Sequence, residues 1–293
     1  MTTDSFKSWL ANPSRHPLVM GVLNVTPDSF SDGGRFSDPS AAIAHGREMI
    51  DAGADMLDIG GESTRPGSQP VDSAEQIRRV VPVIRELSAH ARPAILSIDT
   101  MRSDVAAAAI DAGATLVNDI SGGRDDARML PIVASRGVPV ILMHMLGTPA
   151  TMQQDPTYSD VVREVTAFLT QQIRVAMDLG IDRKNILVDP GIGFGKTMEH
   201  NLALLRDIRK VVEAVHHPVV IGASRKGFIG RITRQPEPRQ RVFGTAATVA
   251  WSIMSGASVV RVHDVGPMKQ VVQMTDAILR GHAAPEAASE QPD

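Results

Sequence analysis

Short apolar runs recur along the chain, and each is followed closely by a polar side chain. The runs are apolar throughout rather than alternating, which is typical of parallel strands covered on both faces. Longer amphipathic segments separate them, so strands and helices alternate along the sequence. This order predicts an α/β fold with eight strands, a single-domain (β/α)8 TIM barrel. The polar residues that follow the eight runs are Asn24, Glu62, Asp99, Asn118, His144, Asp189, Ser224 and His263.

Helices are predicted between the runs from their periodicity and from the glycines that end them. The segments Asp51-Ala52-Gly53-Ala54 and Asp111-Ala112-Gly113-Ala114 repeat this ending and lead directly into the next run. Glycine suits these positions because it tolerates the left-handed turn after a helix. The predicted helices span residues 39–52, 73–89, 103–112, 126–136, 158–179, 198–215, 239–255 and 267–280.

One barrel accounts for nearly the whole sequence. Residues 18–281 are expected to form it, since such a barrel typically needs about 250 residues and no break in composition suggests a second domain. Residues 1–17 are expected to be an N-terminal leader against the closed end of the barrel. Residues 282–293, rich in Ala, Pro, Glu and Ser, are expected to be a disordered tail.

Composition excludes several classes of function. The net charge of −3 offers no basic surface to nucleic acid and no charge run to a membrane. The absence of cysteine excludes disulfides, zinc thiolate sites and thiol nucleophiles. No apolar stretch approaches the roughly 20 residues that span a bilayer, and the N-terminus has no signal-peptide core. A soluble, cytoplasmic protein without a nucleic-acid or membrane partner is therefore expected.

Two long polar loops follow the first and second runs, at residues 24–34 and 60–67. They contain few side chains that could pack into a core. Long polar loops on a rigid scaffold are where binding residues concentrate. A role in ligand binding is therefore expected, with ordinary solvated loops as the alternative.

The segment from Asp189 to Thr197 comes close to a phosphate-binding loop but does not match it. The pattern requires glycine where Pro190 stands, and proline has no N–H to offer a phosphate. The dinucleotide-binding pattern fails as well, because Lys196 takes the place of its third glycine. ATP and NAD binding are therefore rejected. The segment is interpreted as a turn that carries Phe194 beyond the strand and starts a helix.

The histidines do not indicate a transition-metal centre. No pair has the helical spacing of a zinc site. His144 follows the fifth run, and its role is left open between function and a structural hydrogen bond at the strand end.

Acidic and amide side chains follow the third, fourth and sixth runs, where they should line one rim of the barrel. Asp99, Asn118 and Asp189 need hydrogen-bond donors there, because a buried carboxylate without them is costly. A ring with a fork of N–H groups would pair bidentately with one carboxylate, and Arg261 could cover its face. A guanidine-like heteroaromatic ligand is therefore expected.

Cationic side chains follow the seventh and eighth runs. Ser224-Arg225-Lys226 comes after the seventh, and Arg261 and His263 point the same way at the end of the eighth. Barrels commonly bind phosphate with these two loops, and Arg65 could contribute from the second loop. A phosphate or diphosphate on the ligand is indicated, with salt bridges to the strand-end carboxylates as the alternative.

Taken together, the motifs resemble those of the dihydropteroate synthase family. The two long loops, from Asn24 to Gly34 and from Asp58 to Gly67, carry the most specific part of the resemblance. It runs in order from about Leu18 to Arg280, without a departure at a motif position. The other matching motifs are Ser97-Ile98-Asp99-Thr100, Asn118-Asp119-Ile120-Ser121-Gly122-Gly123, Leu142-Met143-His144-Met145, Asp189-Pro190-Gly191-Ile192-Gly193-Phe194-Gly195-Lys196, Gly222-Ala223-Ser224-Arg225-Lys226 and Arg261-Val262-His263-Asp264.

The resemblance implies a homodimeric transferase of tetrahydrofolate (folate) biosynthesis. Such an enzyme joins (7,8-dihydropterin-6-yl)methyl diphosphate to 4-aminobenzoate and releases diphosphate and 7,8-dihydropteroate, with magnesium as cofactor. A dissociative route through a pterin carbocation is expected. Diphosphate leaves readily once its charge is neutralised, and an arylamine, already neutral, needs no strong general base.

The resemblance also implies a role for each motif residue. The catalytic residues are Asn24, Asp32, Lys226 and Arg261, and Asn24 is also the magnesium ligand. The pterin is bound by Asp99, Asn118, Ile120, Met143, Asp189, Gly222, Lys226 and Arg261, the last by stacking. The diphosphate is bound by Asn24, Thr64, Arg65, Arg261 and His263. The 4-aminobenzoate is bound by Pro66, Phe194 and Ser224.

Two other functions remain as alternatives. A pterin-binding methyltransferase barrel also presents strand-end Asp and Asn to a pterin, but it does not need two loops that hold a diphosphate. A non-catalytic, synthase-like paralogue would bind ligand without turnover, and the intact Asn24, Asp32 and Lys226 argue against it. Diphosphate release that depends on 4-aminobenzoate distinguishes the three.

Overall fold

The computed structural model describes residues 1–26, 39–63 and 68–282. Through these residues, strands and helices alternate in the predicted order. The strands are β1 (Leu18–Asn24), β2 (Met56–Gly60), β3 (Ile95–Asp99), β4 (Leu116–Asp119), β5 (Val140–Met143), β6 (Ile186–Asp189), β7 (Val220–Ile221) and β8 (Val259–Val262). The α-helices are α1 (Thr3–Ala11), α2 (Pro39–Asp51), α3 (Ser73–Ser88), α4 (Ser103–Asp111), α5 (Met129–Arg136), α6 (Val161–Asp178), α7 (Met198–Arg206), α8 (Ile208–Val215), α9 (Gly227–Thr233), α10 (Val242–Met254) and α11 (Val265–Arg280). Short 3-10 helices lie at Arg183–Asn185 and Pro238–Arg241.

The strands form one parallel sheet that closes on itself. Hydrogen-bonded neighbours follow the order β6-β5-β4-β3-β2-β1-β8-β7, and a parallel bridge between Val188 and Val219 joins the two ends of that series. Closure leaves none of the described strands with an open edge for another chain to pair with. The (β/α)8 barrel predicted from the sequence is therefore confirmed.

Inside the barrel, alternate residues of each strand form two layers of opposite character. On β2, Met56 lies in a buried apolar cluster, whereas Asp58 hydrogen-bonds to polar groups nearer the carboxyl end of the strands. We call the apolar layer the floor. Its strand residues are Leu18, Met20, Met56, Ile95, Leu116, Ile141, Leu187, Val220 and Val259.

Helix α1 covers the floor from below. Phe6, Trp9 and Leu10 of this helix are buried in the same apolar cluster as the floor. Trp9 Nε1 donates to the carbonyl oxygen of His16 over 2.7 Å, which ties the helix to the chain that enters β1. The amino-terminal end of the barrel is therefore filled, and the opposite rim is left for a ligand.

Outward-facing strand residues pack under the surrounding helices. Val19 and Leu23 of β1 share one large buried cluster with Ile50 of α2 and Ile84 of α3. Both faces of the strands are thus covered, which explains why the runs are apolar throughout. Within the described ranges, none of the helices combines the length and the apolarity of a membrane span.

Several helices differ from their predicted boundaries, most clearly one predicted helix that is divided in two and two helices that begin late. The helix predicted over 198–215 is two helices, α7 and α8, which meet at Asp207 (φ −105°, ψ 22°). Helix α5 begins later than predicted, at Met129, and its N-cap residue, Arg128, makes no side-chain capping hydrogen bond. The Asp126 carboxylate, three residues before the helix, instead accepts the backbone N–H of Ser103 at the start of α4 over 2.9 Å. Helix α6 begins later as well, since its N-cap is Asp160. A side-chain cap, rather than hydrophobic periodicity, therefore sets the start of α6.

Candidate functional site

Arg261 of β8 lies between two carboxylates inside the barrel. Its Nε donates to Asp58 Oδ2 over 2.6 Å, and its Nη2 donates to Asp99 Oδ2 over 2.8 Å. Asn118 Nδ2 donates to the same oxygen of Asp58 over 2.8 Å. Strands β2, β3, β4 and β8 therefore hold one connected polar network above the floor.

This network keeps acceptor capacity for a ligand. Among the described side chains, Asp58 and Asp99 each have a buried Oδ1 atom without a hydrogen-bond partner, although buried acceptors are normally paired. Burial, and then the negative charge of Asp58, raise the pKa of Asp99 well above its usual range. Burial would lower the pKa of Arg261, but the two carboxylates outweigh this effect and raise it. An N–H donor from a ligand would satisfy Asp99.

Asp189 and Lys226 add an acid and a base next to this network. Asp189 ends β6, and its Oδ1 accepts the backbone N–H of Gly191 over 2.7 Å. Burial raises the pKa of Asp189 to about 6, against the opposing effects of the Gly191 N–H and Lys226. Burial, and then the charge of Arg261, lower the pKa of Lys226 to about 8. Near neutral pH the site therefore holds a carboxylate that accepts and an ammonium that donates.

Gly222 keeps open the space between Asp189 and Arg261. A Cβ at this position would lie 3.8 Å from Asp189 Oδ2 and 3.8 Å from the Cβ and Cδ atoms of Arg261. A larger side chain would extend into the gap between these two charged groups. Glycine leaves that gap to a flat ligand.

An apolar cluster borders the charged groups. Lys226 Nζ lies 4.1 Å from the centroid of the Phe194 ring in this cluster, within the range of a cation–π contact. Apolar and aromatic walls around a few polar groups are typical of sites for small organic ligands. The cluster consists of Ile120, Met143, Met145 and Met152, with Met101 and Phe194 packed against them.

Ser224 and His263 form a hydrogen-bonded pair after β7 and β8. The backbone N–H of His263 donates to Ser224 Oγ over 3.2 Å, and His263 Nδ1 lies 3.1 Å from the same oxygen. Burial, and then Arg261, lower the pKa of His263 to about 3, so its imidazole is neutral. Arg225 instead pairs with Asp264, with 2.9 Å between Nε and Oδ2. The salt-bridge alternative therefore holds for Arg225, and Arg261 likewise pairs with carboxylates, those of Asp58 and Asp99.

Asn24 brings an amide to the same rim. It ends β1 in register with Gly60, and its Oδ1 lies 3.7 Å from where a Cβ on Gly60 would stand. In the described part of the chain, no group of three or more His, Asp or Glu side chains could hold a metal ion. Mg²⁺ usually takes one or two protein oxygens and completes its shell with water and substrate phosphate. The Asn24 oxygen therefore fits a Mg²⁺ ion that is bound together with a diphosphate.

Most of the predicted site residues meet at this rim, at or just after the ends of the strands. Four predicted residues lie outside the described part of the chain: Asp32, Thr64, Arg65 and Pro66. Those that the structure places at or beside the rim are Asn24, Asp99, Asn118, Ile120, Met143, Asp189, Phe194, Gly222, Ser224, Lys226, Arg261 and His263.

Asp58 is the rim residue that the sequence analysis missed. It is 0% exposed and accepts hydrogen bonds from both Arg261 and Asn118. Its position inside the apolar run from Met56 to Gly60 could have indicated its role, because a carboxylate buried in a strand needs a charged or donating partner.

Lys196 does not serve as a phosphate-binding lysine. It is 3% exposed, and its Nζ lies 2.9 Å from His144 Nδ1. This burial agrees with the rejection of a nucleotide-binding loop.

The chain matches known proteins over most of its length. Residues 20–263 match the family described as "Pterin binding enzyme". The chain is 45% identical to the dihydropteroate synthase of Mycobacterium leprae, over 92% of this chain and 95% of that protein. It is 43% identical to the dihydropteroate synthase of Bacillus subtilis, over 89% and 88% respectively.

Solved structures show the same relationship. The Xanthomonas albilineans dihydropteroate synthase with 4-aminobenzoic acid has a TM-score of 0.85 and 44% identity, covering 91% of this chain and 94% of that one. The same enzyme in complex with 7,8-dihydropteroate has a TM-score of 0.82 and 41% identity, covering 92% and 95%. The family resemblance seen in the sequence is confirmed, and the chain belongs to the pterin-binding enzyme family, among the dihydropteroate synthases.

Proposed function

We propose that this chain condenses (7,8-dihydropterin-6-yl)methyl diphosphate with 4-aminobenzoate to give 7,8-dihydropteroate and diphosphate. The observation that carries the proposal is the rim network of Asp58, Asp99 and Arg261, which keeps a buried carboxylate oxygen free on Asp99. It is supported by relatives that carry the name dihydropteroate synthase and by a similar structure in complex with 7,8-dihydropteroate.

The pterin would be held by charge and by shape. Its guanidine-like edge carries N–H donors, and Asp99 and Asp189 offer carboxylate oxygens in a buried site, where hydrogen bonds to ionised groups are strong. Lys226 would donate to acceptor atoms of the ring. Arg261 is fixed by two carboxylates, so the face of its guanidinium group is available for stacking. The walls would be Asn118, Ile120, Met143 and Gly222.

The diphosphate would lie above the pterin, near Arg261, His263 and Asn24, together with Thr64 and Arg65. Ser224 Oγ accepts the backbone N–H of His263, and its hydroxyl can donate to Nδ1. The Nε2–H of the neutral imidazole would then donate to a phosphate oxygen. Magnesium at Asn24 would neutralise part of the negative charge of the leaving group.

The reaction would follow a dissociative route. Cleavage of the C–O bond releases diphosphate and leaves a positive charge that the pterin delocalises and that Asp99 and Asp189 stabilise. The amine of 4-aminobenzoate, seated by Phe194, Ser224 and Pro66, then forms a bond to the cationic methylene carbon. The resulting ammonium loses its proton to the released diphosphate or to solvent. Asp32 belongs to the loop that would exclude water, which otherwise captures the cation. Replacing Asp32 with Ala should therefore lower turnover, and unchanged turnover would contradict this role.

The proposal is tested by measuring diphosphate release with purified protein, both substrates and Mg²⁺. We expect release that depends on adding 4-aminobenzoate. Asp189→Asn should lower kcat/KM by roughly 10- to 100-fold, because it removes a charged hydrogen-bond acceptor. Asp111→Asn is the matched control, since this carboxylate forms an exposed ion pair with Arg136.

Other outcomes favour the alternatives. Ligand binding without diphosphate release indicates a non-catalytic paralogue. Transfer of a methyl group from a methylated pterin to a corrinoid indicates a methyltransferase.

We also propose that the chain is a homodimer. The proposed ligand site at the rim is built from one chain and does not itself require a second copy. Helices α10 and α11 carry large apolar side chains that are well exposed, which in a monomer would be unusual as a continuous patch. Sedimentation velocity should show a dimer that Phe243→Glu weakens; a monomer at micromolar concentration would contradict it. The exposed apolar side chains of the two helices are Phe243, Trp251, Met254, Met274, Ile278 and Leu279.

The cytoplasmic location stays a prediction.

A further inference from the structure

Lys196 is a buried lysine that the proposed chemistry does not use. It lies in the loop between β6 and α7 and is 3% exposed. Its Nζ is 2.9 Å from His144 Nδ1 and 2.9 Å from the carbonyl oxygen of Phe194. A lysine is rarely buried unless its amine is paired, so these two contacts require an explanation.

The donors and acceptors of this contact match. Burial, and then Lys196, lower the pKa of His144 to about 3, so its imidazole is neutral. Nδ1 can therefore accept from Lys196 while Nε2 carries the proton. Burial lowers the pKa of Lys196 to about 7. Even a neutral amine has two N–H groups, one for Nδ1 and one for the Phe194 carbonyl, so the geometry holds in either charge state.

The same loop is pressed against the end of β5. Gly191 (φ 69°) has no space for a Cβ, which would overlap the His144 carbonyl oxygen, and a Cβ on Gly195 would lie 2.7 Å from Leu146. Tyr158 donates to the Gly195 carbonyl over 2.8 Å. Lys196 is the side chain that attaches Phe194 itself to this support.

Phe194 in turn lies against Lys226. The ring centroid is 4.1 Å from Lys226 Nζ, and a Cβ on Gly193 would be 3.0 Å from Lys226 Cδ. The chain of contacts thus runs from His144 through Lys196 and Phe194 to Lys226. A shift of the Phe194 backbone would move the ring against which Lys226 rests.

We propose that Lys196 and His144 are a positioning pair, which fixes Phe194 as the wall of the 4-aminobenzoate site. This inference rests on the proposed function, because it assigns Phe194 to that substrate. Neither residue touches the reacting atoms. The pair acts through Phe194, and removing it should affect the second substrate more than the first.

The experiment is a double-mutant cycle of Lys196→Met and Phe194→Ala, with kcat and both KM values measured. Lys196→Met should raise the KM for 4-aminobenzoate about five- to tenfold and change the KM for the pterin diphosphate less than about twofold. The double variant should behave like Phe194→Ala alone, because residues that act through one contact are not additive. His144→Phe, which keeps a ring beside Phe168, should shift the same KM in the same direction.

The control is His217→Leu. His217 is buried, and its Nδ1 lies 3.1 Å from the Ile186 carbonyl at the opposite end of β6. This variant should lose stability and leave both KM values unchanged.

Independent effects of Lys196→Met and Phe194→Ala would overturn the inference, as would equal shifts in both KM values or no shift. If Lys196→Met does not fold, His144→Phe decides by the same criteria. If wild-type protein releases no diphosphate, the proposed function fails. The inference is then decided by hydrogen exchange, since the amides of residues 191–195 should exchange faster in Lys196→Met than in His217→Leu, and equal exchange would overturn it.

Discussion

The buried network at the rim predicts a large stability cost for Asp58→Asn. Asp58 is 0% exposed, and its Oδ2 accepts hydrogen bonds from both Arg261 and Asn118. An asparagine keeps the shape but loses the charge. Its single oxygen can take the place of Oδ2 and still accept from both donors. The NH2 group then replaces the unpartnered Oδ1, and the negative charge that compensates Arg261 is lost.

The magnitude follows from these contacts. Removing one partner of a buried ion pair costs about 3–5 kcal/mol, because the other charge is left without compensation. Arg261 keeps its bond to Asp99, so we expect a loss in the free energy of unfolding near the lower end, about 3 kcal/mol. At roughly 2–3 °C per kcal/mol for a chain of this size, Tm should fall by about 6–9 °C.

The assay is urea denaturation followed by circular dichroism, with thermal melts in parallel. The matched control is Asp111→Asn, because Asp111 also pairs with an arginine, Arg136, at 2.7 Å but is 59% exposed. An exposed pair contributes about 0–1 kcal/mol. If Asp58→Asn costs no more than Asp111→Asn, the argument from burial is refuted.

Two further predictions concern pH and the loop after β6. The kcat/KM should fall as the pH drops below about 7, because Asp99 (pKa about 7) and then Asp189 (pKa about 6) gain protons and stop accepting. It should also fall above about pH 8, as Lys226 loses its charge; a profile that is flat from about pH 5 to about pH 9 contradicts these roles. Gly191→Ala should cost more than about 3 kcal/mol in the free energy of unfolding, since its Cβ would overlap the His144 carbonyl. Gly137→Ala, at φ 62° but with nothing within 4 Å, should cost only about 1 kcal/mol for the backbone conformation, and equal losses in urea denaturation would argue against the steric explanation.

The strands and the polar residues at their carboxyl ends could be predicted from the sequence, because both depend on the local pattern of apolar and polar residues. Continuous apolar runs are typical of parallel strands that are covered on both faces, and the ends of parallel strands meet at one rim. For that reason Asp99, Asn118 and Asp189, which are distant in sequence, could be placed together.

The remaining features depend on contacts that a local pattern does not contain. The break between α7 and α8 at Asp207 has no glycine or proline to indicate it. Asp126, which lies in the segment before α5, accepts the backbone N–H of Ser103 in the preceding βα unit. Asp58 was missed because its partner Arg261 lies 203 positions along the chain, and only the barrel register brings them together.

The floor of the barrel has a consequence for the groups that lie on it. Met20, Met56 and Ile95 shut off one end, so solvent reaches the buried carboxyl group of Asp99, whose pKa is raised by burial, through the opposite mouth. A molecule seated in that mouth covers this route. The carboxyl group therefore meets the ligand in the protonation state that the pH of the solution has set before binding.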